Sequence, residues 1–216
     1  MRKQRPFNDE YYRRLEYIKH LYNYESDEQK TIKKQSKYEG FDITINEQEG
    51  QLLYILTKIS GAKKVLEIGT LFGYSTLWFA KAIGQDGKIT TIEADKYECD
   101  VARENFKDFK NIEVICGSAL KVLEKMDDVY DLIFIDADKI NYINYLKFAD
   151  GLLKKGGLLI ADNSMLGGEV CKAYRTEARQ NTQDNMKAFN KALADKEKWE
   201  SIMINTEEGF SIAIKK

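Results

Sequence analysis

Histidine is almost absent from this chain: His20 is the only one among 216 residues. That nearly excludes a metal site built from imidazoles, and a histidine general base with it. Cysteine is scarce as well. Cys99, Cys116 and Cys171 are far apart, odd in number and without a CxxC pair. The pattern predicts free thiols in a reducing compartment rather than a disulfide frame or a zinc site. No apolar run reaches the ~20 residues of a membrane helix, and the polar N-terminal stretch lacks the apolar centre of a signal peptide. A cytoplasmic location with no membrane partner is therefore expected. Net charge is missing too, with 34 basic residues against 35 acidic ones, so bulk attraction to nucleic acid is not indicated. Proline occurs once, at Pro6, and no repeat or low-complexity linker interrupts the chain. A single domain over residues 1–216 is expected, made of an N-terminal helical segment (1–60) and an α/β core (61–216).

What is present supports a packed core: 43% of residues are hydrophobic, which argues against disorder. The first forty residues read as helical, with Tyr11, Leu15, Ile18 and Tyr22 at helical spacing and Gly40 as the stop. The basic cluster Lys30, Lys33, Lys34 and Lys37 is offset by nearby acids and reads as a solvated helical surface. A second amphipathic helix is predicted over 46–60, capped by Asn46 with Glu49, with Leu52, Leu53, Ile55, Leu56 and Ile59 facing inward.

Beyond residue 60 short apolar strands alternate with helices. Strands are predicted at 65–69, 88–94, 112–117, 131–137 and 158–162, and helices at 74–83, 97–109, 119–126 and 142–153. A loop over 164–182 precedes a helix near 184–196, and a hairpin pairs 201–205 with 210–214. This order implies a doubly wound α/β fold: a mostly parallel seven-stranded sheet with one antiparallel strand and helices on both faces. Ligands then belong at the carboxyl ends of the strands, near the switch point.

The first strand ends in Glu67-Ile68-Gly69-Thr70-Leu71-Phe72-Gly73-Tyr74-Ser75. Gly69 and Gly73 permit close backbone approach, and Ser75 can offer a hydroxyl at a helix start. A dinucleotide site would want glycine where Leu71 stands, so a pyrophosphate cradle is poor here. Glu67 would repel a phosphate but attract an ammonium group. S-adenosylmethionine, which carries an amino group, a sulfonium and no phosphate, matches. Glu93 at the end of the second strand is placed to accept from ribose hydroxyls, and Ala119, after the third, sits where the adenine would lie.

The fourth strand ends in Asp136-Ala137-Asp138-Lys139 and the fifth in Asp162-Asn163. If these ends meet in one crevice, Asp136, Asp162 and Asn163 supply three hard oxygens suited to magnesium or manganese. Together with Gly156-Gly157 and Asn141-Tyr142, these motifs resemble the cation-dependent O-methyltransferases, a family that includes the catechol and caffeoyl-CoA enzymes and bacterial relatives. The likeness runs from about residue 41 to the C-terminus. It implies a Rossmann-like class I methyltransferase fold and a homodimer. By resemblance, Asp136, Asp162 and Asn163 match ligands of Mg2+ (or Mn2+ or Ca2+). Glu67, Gly69, Thr70, Ser75, Glu93, Ala119 and Asp136 match cofactor contacts, with Ile43 near the methionine moiety. Lys139 matches the catalytic base, beside Asp136. Gly167 stands where the caffeoyl-CoA enzymes carry asparagine, which argues against that acceptor. The expected reaction is methyl transfer to a hydroxyl of a small catechol-like acceptor. The alternative is a hydroxylated uridine in tRNA, with the basic N-terminal helices on the phosphates.

Overall fold

The computed structural model describes residues 9–22, 24–38, 41–172, 177–206 and 208–216. The N-terminal segment forms two helices rather than one, α1 (Asp9–Leu21) and α2 (Asp27–Gln35). Ser26 starts the second: its hydroxyl accepts from the Gln29 N–H at 3.2 Å while the Gln29 side chain accepts from the Ser26 N–H at 2.9 Å. Ile18 is half-buried and Tyr22 exposed, while Gly40 and the side chains of Tyr11 and Leu15 lie outside the described residues. A two-residue hairpin, β1 (Lys37–Tyr38) with β2 (Phe41–Asp42), leads to α3 (Glu47–Ser60).

Helix α3 has the predicted cap, Asn46 and Glu49 bonding reciprocally at 2.9 Å. Its inward face is only partly the predicted one: Leu53 is buried and Leu52 and Leu56 pack against the core, as expected. Gly50, Leu53 and Thr57 are buried, whereas Ile55 is 43% and Ile59 78% exposed. At 100° per residue, positions 50, 53 and 57 form one stripe and 55 and 59 fall on the other side. The buried stripe packs on α4 (Tyr74–Ile83), where a Cβ on Gly50 would overlap the Trp78 indole.

The main sheet contains β3 (Lys64–Ile68), β4 (Lys88–Glu93), β5 (Ile112–Cys116), β6 (Tyr130–Ile135), β7 (Leu153–Ala161), β8 (Trp199–Ile204) and β9 (Phe210–Lys215). Their order is β5-β4-β3-β6-β7-β9-β8, and β9 alone runs against its neighbours. Helices α4, α5 (Lys96–Asn105), α6 (Ala119–Leu123), α7 (Tyr142–Leu152) and α8 (Glu177–Leu193) cover the faces, giving one apolar core on each side. The chain leaves β3 toward β4 and β5, then returns to lay β6 on the other flank of β3. The switch point thus lies between β3 and β6, where the Asp136 N–H donates to the Ile68 carbonyl at 2.9 Å.

Two further expectations are corrected. Helix α8 begins at Glu177, so the predicted 164–182 loop is shorter and contains a 3-10 turn, Leu166–Cys171. Cys99 and Cys116 form a disulfide with Cα atoms 5.8 Å apart, leaving Cys171 free and exposed. The return from α5 into β5 brings together cysteines that lie 17 positions apart in the chain. The cysteines therefore no longer argue for a reducing compartment. Among the described residues no helix is long and apolar enough to cross a membrane.

Candidate functional site

The carboxyl ends of β3, β4, β5, β6 and β7 open into one cavity of about 670 Å3, within the ~300–1,000 Å3 of ordinary small-molecule sites. Every residue matched to a cofactor, metal or catalytic role lines it except Glu67. Gly69 and Thr70 come from the turn after β3, Ser75 from the first turn of α4, Glu93 from the end of β4, and Ala119 from the start of α6. Asp136 and Lys139 follow β6, Asp162 and Asn163 follow β7, and Ile43 closes the rim.

The β3 turn explains its glycines. At Gly69, φ is +100°, and a Cβ there would run into the Asp136 carbonyl oxygen. Glycine lets the ends of β3 and β6 meet. At Gly73, φ is +98°, and a Cβ would enter the Phe106 ring. This second glycine serves helix packing rather than a ligand.

Glu67 differs from expectation. It is fully buried beneath the cavity, and its carboxylate accepts from the hydroxyls of Ser75 (2.5 Å), Thr91 (2.7 Å) and Thr76. Thr91 is its register partner on β4. Burial pushes the Glu67 carboxyl up to about 7, against the three hydroxyls that favour its charged form. An ammonium group in the cavity would feel Glu67 through Ser75 rather than touch it. Glu93 is also engaged by the protein. One oxygen accepts the backbone N–H groups of Thr70 (3.2 Å) and Leu71 (2.8 Å), the other those of Ala94 (2.6 Å) and Asp95 (3.0 Å). It clamps the β3 turn to the β4 end.

At the other end of the cavity the acids are less well matched. Lys139 Nζ lies 2.8 Å from Asp136 Oδ1 and 5.3 Å from the centre of the Tyr142 ring. Tyr142 is buried and its hydroxyl donates to the Asp162 carbonyl at 3.0 Å, which fixes the α7 start to the β7 end. Asp162 is 5% exposed, and Oδ1 accepts the Asn163 N–H at 2.7 Å. Burial, then Asp136 and Glu49, push its carboxyl up to about 8. Asn163 adopts φ 57°, a left-handed conformation that asparagine tolerates better than most residues. The next two N–H groups, of Ser164 and Met165, donate to the carbonyls of Gly209 and Glu208 at 3.0 and 2.7 Å. These bonds hold the turn against the β8–β9 hairpin.

Among the described residues no three His, Cys, Asp or Glu side chains are grouped to hold an ion by themselves. Two carboxylates plus the Asn163 amide are what this crevice offers, and that set suits a hard cation that keeps water or substrate in its other positions. A cation there would also offset the mutual repulsion of Asp136 and Asp162, so the residues fit the implied metal.

Sequence reasoning missed three lining acids, Glu49, Glu98 and Glu208, and the tyrosine Tyr145, and gave Asp138 no role beyond its place at the end of the fourth strand. Glu49 was read only as a cap; burial, with Asp136 and Glu208 nearby, raises its pKa. Glu98, on the first turn of α5, is pushed up to about 7 by burial and by Glu93. Asp138 accepts from the Tyr145 hydroxyl and from Asn141 Nδ2 at 2.5 Å. Glu208 comes from the β8–β9 turn. For Glu98 the usable signal was its place five residues beyond Glu93, across one strand end.

The O-methyltransferase family profile matches residues 21–216. A catechol O-methyltransferase of Mycobacterium tuberculosis is 37% identical over 132 residues, which span 59% of this chain and 60% of that protein. One from Niastella koreensis is 33% identical over 169 residues, 74% of this chain and 76% of that protein. The O-methyltransferase of Bacillus cereus, solved in complex with SAH, superposes with a TM-score of 0.84 at 28% identity, covering 93% of this chain and 96% of that one. With its switch-point cavity and its profile match over nearly the whole length, the chain belongs to the O-methyltransferase family.

Proposed function

We propose that this chain transfers a methyl group from S-adenosylmethionine to a hydroxyl of a small catechol-like acceptor, with a divalent cation held by Asp136, Asp162 and Asn163. The observation that carries this reading is the convergence of those three oxygen donors and Lys139 on the cavity formed by the Gly69 turn. The cofactor brings an activated methyl on its sulfonium. The cation, when bound, lowers the pKa of a hydroxyl and orients two neighbouring oxygens.

The chain's own residues do the rest. As the neutral amine, Lys139 Nζ takes the acceptor's hydroxyl proton, and its contact with Asp136 positions it at the crevice. The Glu93 clamp fixes the turn after β3, and its carboxylate lines the cavity, where it could also accept from ribose hydroxyls. Glu67 holds Ser75 and Thr76 in place from below. Leu71, Ile92 and Leu120 supply the apolar wall, and proximity supplies much of the acceleration.

A tRNA acceptor ranks second, because two lysines of the basic N-terminal cluster are already engaged. Lys33 Nζ lies 2.7 Å from Glu47 and 5.3 Å from the centre of the Tyr74 ring, and Lys30 pairs with Asp27 at 3.1 Å. A phosphate-binding row would need several unpaired cations. The test offers methyl-labelled S-adenosylmethionine and magnesium with catechol and, separately, with undermethylated total tRNA. Label in catechol is expected. Label in tRNA alone, falling with added salt and in Lys34→Ala, would reverse the ranking.

A further inference from the structure

We infer that the acceptor end of the cavity selects against negatively charged acceptors, and that Glu208 is the residue that sets this choice; the inference rests on the methyl-transfer reading above. Lys139 is the one basic side chain lining the cavity among the described residues, and it is already paired with Asp136. The acids at the same end have different duties. Asp136 and Asp162 face the cation, Asp138 is engaged by Tyr145 and Asn141, and Glu49 accepts from its own helix cap at 2.9 Å. Glu208 has no such duty in the proposed reaction, yet its carboxylate lines the cavity.

Its placement is built into the fold. The Glu208 carbonyl accepts the Met165 N–H at 2.7 Å, and Gly209, at φ 82°, lies against Met165 without room for a Cβ. The turn that carries Glu208 is thereby pinned to the segment following Asp162-Asn163. Across from it, a Cβ at Gly167 would stand 3.5 and 3.7 Å from the two carboxylate oxygens. Any larger side chain there would press on them. Glycine at 167 leaves the space on that side of the carboxylate open, in the same cavity that Asp162 and Asn163 line. A carboxylate or phosphate tail on the acceptor would meet Glu208 and Glu49, and among the described lining residues only Lys139, itself paired with Asp136, is basic. A neutral tail meets no penalty, and an ammonium tail gains a partner.

The experiment compares three acceptors with the same catechol head: 3,4-dihydroxyphenethylamine, 4-methylcatechol and 3,4-dihydroxyphenylacetate. Specificity constants for labelled methyl transfer are measured with magnesium, for wild type, Glu208→Gln and Glu208→Lys. In wild type the amine should exceed the acetate by about tenfold or more, and raised ionic strength should narrow the gap. Glu208→Gln should shrink the ratio mainly through KM, and Glu208→Lys should invert it. The wild-type salt series stands even if a variant fails to fold. Equal use of amine and acetate by wild type, or an unchanged ratio in Glu208→Gln, would overturn the inference and leave the methyl-transfer reading intact. Failure to methylate any of the three would instead remove that reading, and the inference with it.

Discussion

Two buried acids, Glu67 at the β3 end of the cavity and Asp162 at the β7 end, have carboxyls raised to about 7 and about 8. Their surroundings differ in kind. Glu67 accepts from three protein hydroxyls and faces no opening. Asp162 accepts its neighbour's N–H and otherwise confronts Asp136 and Glu49 across the cavity. One acid is completed by the protein; the other is completed by what binds. A buried polar group that is fully matched serves architecture, and a crowded one at a cavity marks a place for a ligand.

The sharpest way to break this contrast is Glu67→Ala. It leaves three buried hydroxyls without their acceptor, and at about 1–3 kcal/mol per unsatisfied group a loss of at least about 3 kcal/mol is expected in denaturant unfolding. A change of less than about 1 kcal/mol would mean that the network does not hold the fold. The pH dependence follows with a definite sign. The unfolded chain releases this proton near 4.5 and the folded one near 7. The contribution is therefore complete below the unfolded value and is lost as pH rises through the folded one. At about 1.4 kcal/mol per pK unit, it amounts to about 3 kcal/mol between those limits. Wild type should lose that much relative to Glu67→Gln across the window, and parallel curves would contradict it.

Asp162→Ala should behave in the opposite way. Turnover with magnesium should fall on the order of a hundredfold, while metal-free stability drops far less than in Glu67→Ala. A variant that loses as much stability as Glu67→Ala but keeps its specific activity when folded would make Asp162 a structural acid. The smallest effect is expected at Ser75→Ala, about 1 kcal/mol for one lost hydrogen bond to Glu67. Weaker cofactor binding beyond that stability cost would show that Ser75 also touches the ligand.

Much of this was legible in the chain. Strand–helix alternation gave the sheet, because an apolar run of five or six residues between turn signals has few other readings. The strand-end motifs gave nearly all of the cavity's expected residues, because the fold puts strand ends in one crevice. Three features were not legible, for separate reasons. Ile55 and Ile59 sit among apolar neighbours, and hydropathy alone did not choose which stripe Trp78 would cover. The Cys99–Cys116 pair depends on how α5 returns into β5. Glu67 has the right residue type for an exposed charge, and only the register with Thr91 shows that hydroxyls from three positions enclose it. Contacts across strands and between layers are set by packing, and no local window contains them.

The most direct test of the contrast is methyl transfer to catechol by enzyme treated with chelator and then resupplied with magnesium or manganese. S-adenosylmethionine binding to the same samples is followed by calorimetry. Transfer should vanish in chelator and return with either ion in wild type but not in Asp162→Ala, with the Glu67-supported β3 turn still binding cofactor throughout. Undiminished transfer in chelator by both proteins would show that the crowded acids at β6 and β7 hold no catalytic ion.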